Sequence, residues 1–235
     1  MNIIRKSFRN NYNYNIVWWL IGINLLLFAL KLFFGNEMAG VINVGSLGLV
    51  DMYGRQIDRL AVRVSDIFAM IPAAVMSGWV WSFVTYMFIH GDFGHVFFNM
   101  FGLFIFGLHV ERQMGSKEFL LYYIVTGALA GVFSFAVYYL TGDYLVPLIG
   151  ASGALYAVQL AYAVYFPTSV IYIWGILPLR APVMVLVFTV LSLFFVLTGS
   201  GGNVAHLTHL AGFAFGWLYF MLRFGVNPWK RLLLR

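Results

Sequence analysis

The chain has 235 residues, 62% of them hydrophobic and only 9% charged, with a formal net charge of +6 and a mean hydropathy of +0.88. Soluble domains are about a quarter charged, so this composition excludes one and indicates an integral membrane protein. With no cysteine, disulfides, thiolate metal sites and a cysteine nucleophile are excluded too, and the basic residues sit at the ends of apolar segments, a pattern of membrane topology rather than of nucleic-acid binding.

A spanning helix needs about 20 apolar residues. Six segments are candidates: 15–34, 93–110, 118–140, 151–166, 181–198 and 204–224. The expected fold is therefore an all-α, polytopic membrane protein of six transmembrane helices. The first segment follows Arg5, Lys6 and Arg9, and has a long apolar core with no small-x-small cleavage pattern after it, so it reads as an anchor rather than a signal peptide.

Residues 35–80 form a long connection that mixes charges with apolar patches such as Phe68-Ala69-Met70-Ile71 and Trp79-Val80-Trp81. A structureless loop of that length is improbable. Aromatic-rich amphipathic stretches lie in the membrane interface, and a small extramembrane subdomain is the alternative reading.

The second segment opens with His90-Gly91-Asp92-Phe93-Gly94-His95, followed by Asn99. His95 and Asn99 are four apart and share a helix face. Both can donate hydrogen bonds to a developing oxyanion; a capping histidine and a packing asparagine would explain the same residues.

The fourth segment is short and opens with Gly150-Ala151-Ser152-Gly153. A helix of that length does not cross the hydrocarbon unaided, which puts Ser152 below the membrane surface. Gly150 and Gly153 allow a tight turn and close approach of another chain. A helix N-terminus has free N–H groups to receive an oxyanion.

The sixth segment carries His206 and His209, then Gly212 and Gly216 as a Gly-x-x-x-Gly pair that lets two helix backbones touch. Serine and histidine are the minimum set for nucleophilic catalysis, in which the imidazole takes the proton and the alkoxide attacks a carbonyl. No carboxylate is placed to orient His209, so a dyad is expected rather than a triad. The five histidines include no His-Glu-x-x-His pattern, and no metal or other cofactor is expected.

Arg112, Lys117, Arg180, Arg223, Lys230, Arg231 and Arg235 fall on the same side as Arg5, Lys6 and Arg9 when six spans are threaded. By the positive-inside rule both termini are cytoplasmic, with 1–14 and 225–235 as cytoplasmic tails and 35–80 outside. Ser152 and His209 then lie at similar depth near the outer face.

In order along residues 80–220, Trp81 with Tyr86-Met87, His90 with His95 and Asn99, Gly150-Ala151-Ser152-Gly153, and His209-Leu210-Ala211-Gly212 with Gly216 resemble the rhomboid family of intramembrane serine proteases. The resemblance implies one six-helix domain over residues 1–235, with Ser152 as nucleophile and His209 as general base. It implies His95, Asn99 and the Ser152 N–H as oxyanion hole. Tyr156 matches the aromatic residue beside the catalytic imidazole, His90 a support for the first loop, and Glu111 and Gly115 the end of the second helix. Two departures stand out: Ser82 follows Trp81 where some members have arginine, and Gln113 stands where many have a basic partner for the glutamate.

The expected activity is cleavage of single-pass transmembrane proteins near the outer face of a prokaryotic plasma membrane, with those substrates and membrane lipids as partners and no nucleic acid. Substrate would enter sideways, gated by segment five or by Gly199-Ser200-Gly201-Gly202. A catalytically inactive, client-binding relative and a transporter are the competing classes. The first would be expected to lack Ser152 or His209, and the second to carry acidic residues in mid-span.

Overall fold

The computed structural model describes residues 15–50, 54–173, 176–198 and 203–232. Arg5, Lys6, Arg9, Asp51, the 199–202 loop and Arg235 lie outside them. The described residues are mostly helical. In chain order they form α1 (Ile16–Phe34), β1 (Met38–Asn43), β2 (Arg59–Arg63), α2 (Phe93–Met114), α3 (Ser116–Thr141) and α4 (Ser152–Tyr165). After these come β3 (Val170–Ile173), β4 (Leu177–Arg180), α5 (Ala181–Thr198) and α6 (Asn203–Tyr219), which runs on into a π-helical turn at Phe220–Phe224.

Each of the six apolar segments coincides with one of these helices. Four of them, α1, α2, α3 and α5, are long and apolar enough to cross a membrane by length and composition. The other two are shorter: α4 has 14 residues and α6 has 17.

The shortness of α4 goes with its position. Nearly every residue from Gly153 to Val164 is buried, and Ala154, Ala157, Ala161 and Ala163 present almost no side-chain bulk. An apolar helix of small residues can be surrounded on all sides, and α4 is the hub that α2, α3, α5 and α6 pack around.

The expectation of an all-α chain needs correction at two places. β1 and β2 pair antiparallel from Met38↔Arg63 to Asn43↔Arg59, and β3 and β4 pair from Val170↔Arg180 to Ile173↔Leu177. Segments such as Val170-Ile171-Tyr172-Ile173 are β-branched and aromatic, the residues that suit a pleated surface, but four to six residues are too few to stand out beside runs of 20. Val44, Leu49 and Ala73 form a small hydrophobic cluster of their own, with Ile42, Ile57 and Leu60 around it. The 35–80 connection thus carries a miniature core.

That connection is fastened to the chain just ahead of α4. Met70 and Leu148 exchange backbone hydrogen bonds of 3.1 and 2.9 Å, Ala73 N–H donates to the Tyr144 carbonyl at 2.9 Å, and Gly150 N–H donates to the Tyr86 carbonyl at 2.9 Å. Ser82, where some rhomboid-family members have arginine, donates its hydroxyl to the Trp79 carbonyl at 2.6 Å, while the Trp81 indole donates to the Ile67 carbonyl at 2.9 Å.

Two buried carboxylates hold the other end of the bundle. Glu111 accepts the free N–H groups of Ile16 (2.8 Å) and Val17 (3.0 Å) at the start of α1, and the Ser116 hydroxyl as well. A carboxylate there satisfies orphan donors and opposes the positive end of the helix dipole. Glu118 accepts a forked pair from Arg223, at 3.0 and 3.1 Å, and the Tyr219 hydroxyl at 2.6 Å, tying α3 to the end of α6.

Candidate active site

Ser152 is the first residue of α4, and the turn that delivers it is built on Gly150. Its φ of 110° is one that L side chains rarely adopt, and a Cβ there would collide with the His95 imidazole. The turn therefore lies flat against His95, and Ala151 N–H donates to His90 Nε2 at 3.4 Å.

His209 reaches Ser152 because α4 and α6 cross in near-backbone contact. A Cβ on Gly212 would come within 2.0 Å of the Gly153 carbonyl oxygen, and one on Gly216 would meet the Tyr122 hydroxyl at 2.6 Å and Ala157 at 3.1 Å. Gly153 is hemmed in by Thr208, Tyr86 and Ala130. One residue before Gly153 and three before Gly212, Ser152 Oγ and His209 Nε2 stand 2.7 Å apart. The serine–histidine pair expected 57 positions apart is thus in hydrogen-bond contact.

The imidazole is held by rings. Tyr156, one turn after Ser152, stacks on His209 with centroids 4.3 Å apart and planes 14° from parallel, and is itself backed by Phe213 at 4.8 Å. His206 presents its ring edge to His209 at 5.8 Å and stacks on Phe195 of α5 at 4.8 Å. His209 Nδ1 is buried and has no hydrogen-bond partner among the described residues. No group of three or more His, Asp or Glu suited to a metal ion occurs among them either.

The other two polar groups come from α2. Asp92 caps its N-terminus, its carboxylate accepting from His95 N–H at 2.9 Å, a strongly preferred cap. His95 Nδ1 accepts from Gly91 N–H at 3.3 Å. That leaves the proton on Nε2, on the side of Gly150 and Ser152. Asn99 donates one N–H to the His95 carbonyl at 2.8 Å and has a second to give.

His90 is fully buried behind His95, ring centroids 5.0 Å apart. Burial first, then the neighbouring His95 and Lys31, push its pKa down to about 3. Lys31 of α1 donates to the His90 and Gly91 carbonyls at 2.5 and 2.7 Å, an anchor that the sequence did not suggest. Nor did it suggest the 2.6 Å hydroxyl pair of Ser134 and Thr208 that pins α3 to α6 behind the site.

Ser152, Tyr156, His95 and Asn99 open on one cavity of about 810 Å³ between α2 and α5. Its walls are mostly hydrocarbon, with Phe97 and Phe101 on one side and Met184 and Phe188 on the other, and it runs from His95 down to Ile171 and Tyr172 of β3.

Residues 77–225 match the model of the Rhomboid domain. Among individual relatives, the putative rhomboid protease YdcA of Bacillus subtilis is 30% identical over 61% of this chain and 67% of its own. The mitochondrial RHOMBOID-like protein 12 of Arabidopsis thaliana is 29% identical over 59% of this chain and 45% of its own. Rhomboid protease GlpG of Haemophilus influenzae is 34% identical over 34% and 38% respectively. The chain thus spans about half the length of the curated relatives it matches.

Proposed function

The chain is a multi-pass membrane protein of the rhomboid family, and on that footing we propose that it is an intramembrane serine endopeptidase working through a Ser152–His209 dyad. The observation that carries this reading is the 2.7 Å contact of Ser152 Oγ with His209 Nε2 at the head of an apolar cavity.

In the proposed reaction His209 Nε2 takes the hydroxyl proton as Ser152 Oγ attacks the scissile carbonyl. The oxyanion is received by the Ser152 N–H at the free end of α4, by His95 Nε2–H and by the second N–H of Asn99. His209 then returns its proton to the leaving amine, and water hydrolyses the acyl-enzyme by the same route in reverse. The Tyr156 stack fixes the imidazole plane where a triad would use a carboxylate. Gly150, Gly153 and Gly212 let the reacting groups approach, and His90 supports the turn before Ser152.

The substrate is a single-pass transmembrane segment entering sideways between α2 and α5, which the length and apolar walls of the cavity support. All six helices α1 to α6, the two shorter ones α4 and α6 included, cross the bilayer as one domain over residues 1–235 in this reading. Both termini are cytoplasmic and Ser152 lies near the outer face. The location is a prokaryotic plasma membrane.

The test is to incubate the purified protein in detergent with fluorophore-tagged single-pass transmembrane peptides and to label it with a fluorophosphonate. Cleavage and labelling that both vanish in Ser152→Ala support the reading. Undiminished cleavage by Ser152→Ala overturns it, and substrate binding without any cleavage by the wild type would favour an inactive, client-binding relative.

A further inference from the structure

Ser152 and Gln159 lie seven residues apart on α4. At 3.6 residues per turn, seven residues return a side chain to within about 20° of its starting direction and about 10 Å further along the axis. Gln159 therefore sits beneath Ser152 on the same face, and both line the cavity between α2 and α5. Gln159 is only 6% exposed, and its Oε1 has no hydrogen-bond partner among the described residues. Around it the wall is hydrocarbon, with Leu155, Phe106 and Met184 also lining the cavity.

A buried amide without a partner is destabilising, and more so in a low-dielectric surrounding. Helix propensity does not call for Gln here, since Leu is as good a helix former. The oxyanion site does not call for it either, being two turns away. What would complete the amide is a polar group on whatever fills the cavity.

We propose that Gln159 is a specificity determinant, its amide hydrogen-bonding a neutral polar side chain (Asn, Gln, Ser or Thr) in the membrane segment of the substrate. A neutral partner is required because, among the described residues, no Asp, Glu, Lys or Arg lines the cavity to balance a charge. The inference rests on the protease reading above. A depth of about 10 Å below the scissile bond corresponds to about three residues of extended chain or about seven of helix. The selected position lies within that window, on the membrane-embedded side of the cleavage site.

The experiment walks a single Asn through the leucine-rich membrane segment of a reporter peptide. Initial cleavage rates are measured in phosphatidylethanolamine–phosphatidylglycerol proteoliposomes for the wild type, Gln159→Leu and Gln159→Met. Met is close to Gln in shape, so it carries the test if the Leu variant does not fold, and fluorophosphonate labelling of Ser152 reports that the site is intact. The wild type should show a rate maximum with Asn at about the third to seventh residue, about three- to twentyfold above the all-leucine peptide. Loss of the maximum in a variant that still labels supports the inference. A maximum that survives in either labelled variant, or a wild type that cleaves without depth preference, overturns it alone. A wild type that neither labels nor cleaves overturns the protease reading and this inference with it.

Discussion

Gly212 rests against Gly153 with no room between them for a side-chain atom: a Cβ on Gly212 would come within 2.0 Å of the Gly153 carbonyl oxygen. Backbone contact one residue from Ser152 and three from His209 fixes the depth and spacing of the two reacting groups at once.

Gly212→Val should therefore insert in the membrane yet lose most activity. Overpacking costs about 1–3 kcal/mol, and a shift of about 1 Å in catalytic alignment costs on the order of 10²-fold in rate. Gly216→Val, one turn along and meeting Tyr122 and Ala157, should show a similar drop in thermal stability with a milder loss of rate. Wild-type turnover by Gly212→Val would mean that the crossing does not set the Ser152–His209 distance.

Ser152→Ala and His209→Ala should each abolish cleavage while leaving the melting temperature nearly unchanged. Because the two act as a unit, the double variant should be no slower than either single one. Additive losses in single-turnover assays would show that they act separately.

His95→Ala and Asn99→Ala should lower kcat more than they raise KM, since the oxyanion exists only in the transition state. Removal of one such donor costs on the order of 10²–10³ in rate. A pure KM defect at either position would make it a substrate contact instead.

Arg223→Leu should destabilise the fold by up to about 3 kcal/mol, because it removes the counter-charge of the fully buried Glu118 carboxylate and leaves the Tyr219 hydroxyl to hold it. Glu118→Gln should cost less, as the amide still accepts from Tyr219 and Arg223 can turn to water. Both lie at the end of α3 away from Ser152, so kcat per folded molecule should hold. Thermal melts paired with active-site titration separate the two effects.

His90 should make stability fall as the medium is acidified. Its folded pKa, near 3, is below the ordinary 6.5, so the unfolded chain binds the proton more readily, and stability is lost progressively as pH drops from about 6.5 toward 3. Protonation of Nε2 would also remove the acceptor for Ala151 N–H. The measurement is the melting temperature against pH; an equally steep acid limb in His90→Gln would assign the effect elsewhere.

The helices were legible because about 20 apolar residues in a row have few alternatives, and the α4–α6 crossing because Gly212 and Gly216 mark a place where nothing larger fits. The hairpins were not, since strands of four to six residues, such as Val170-Ile171-Tyr172-Ile173, look like the end of a longer apolar run. The partners of Glu111 and Glu118 were hidden for another reason. Glu118 meets Arg223 across 105 positions and Glu111 meets backbone N–H groups, which any residue but proline could supply. Gln159 is inconspicuous inside an apolar helix, where only its side-chain neighbours reveal that its Oε1 lacks a partner among the described residues.

The carboxylate that caps α1 belongs to a residue 95 positions later. At about 5–20 residues per second, a ribosome needs on the order of 5–20 s to reach it. Throughout that interval the first helix has been synthesised but its leading N–H groups have no carboxylate to bind. Its final seat must then be taken after α2 has followed it into the bilayer, so α1 is made before α2 but settles only after it.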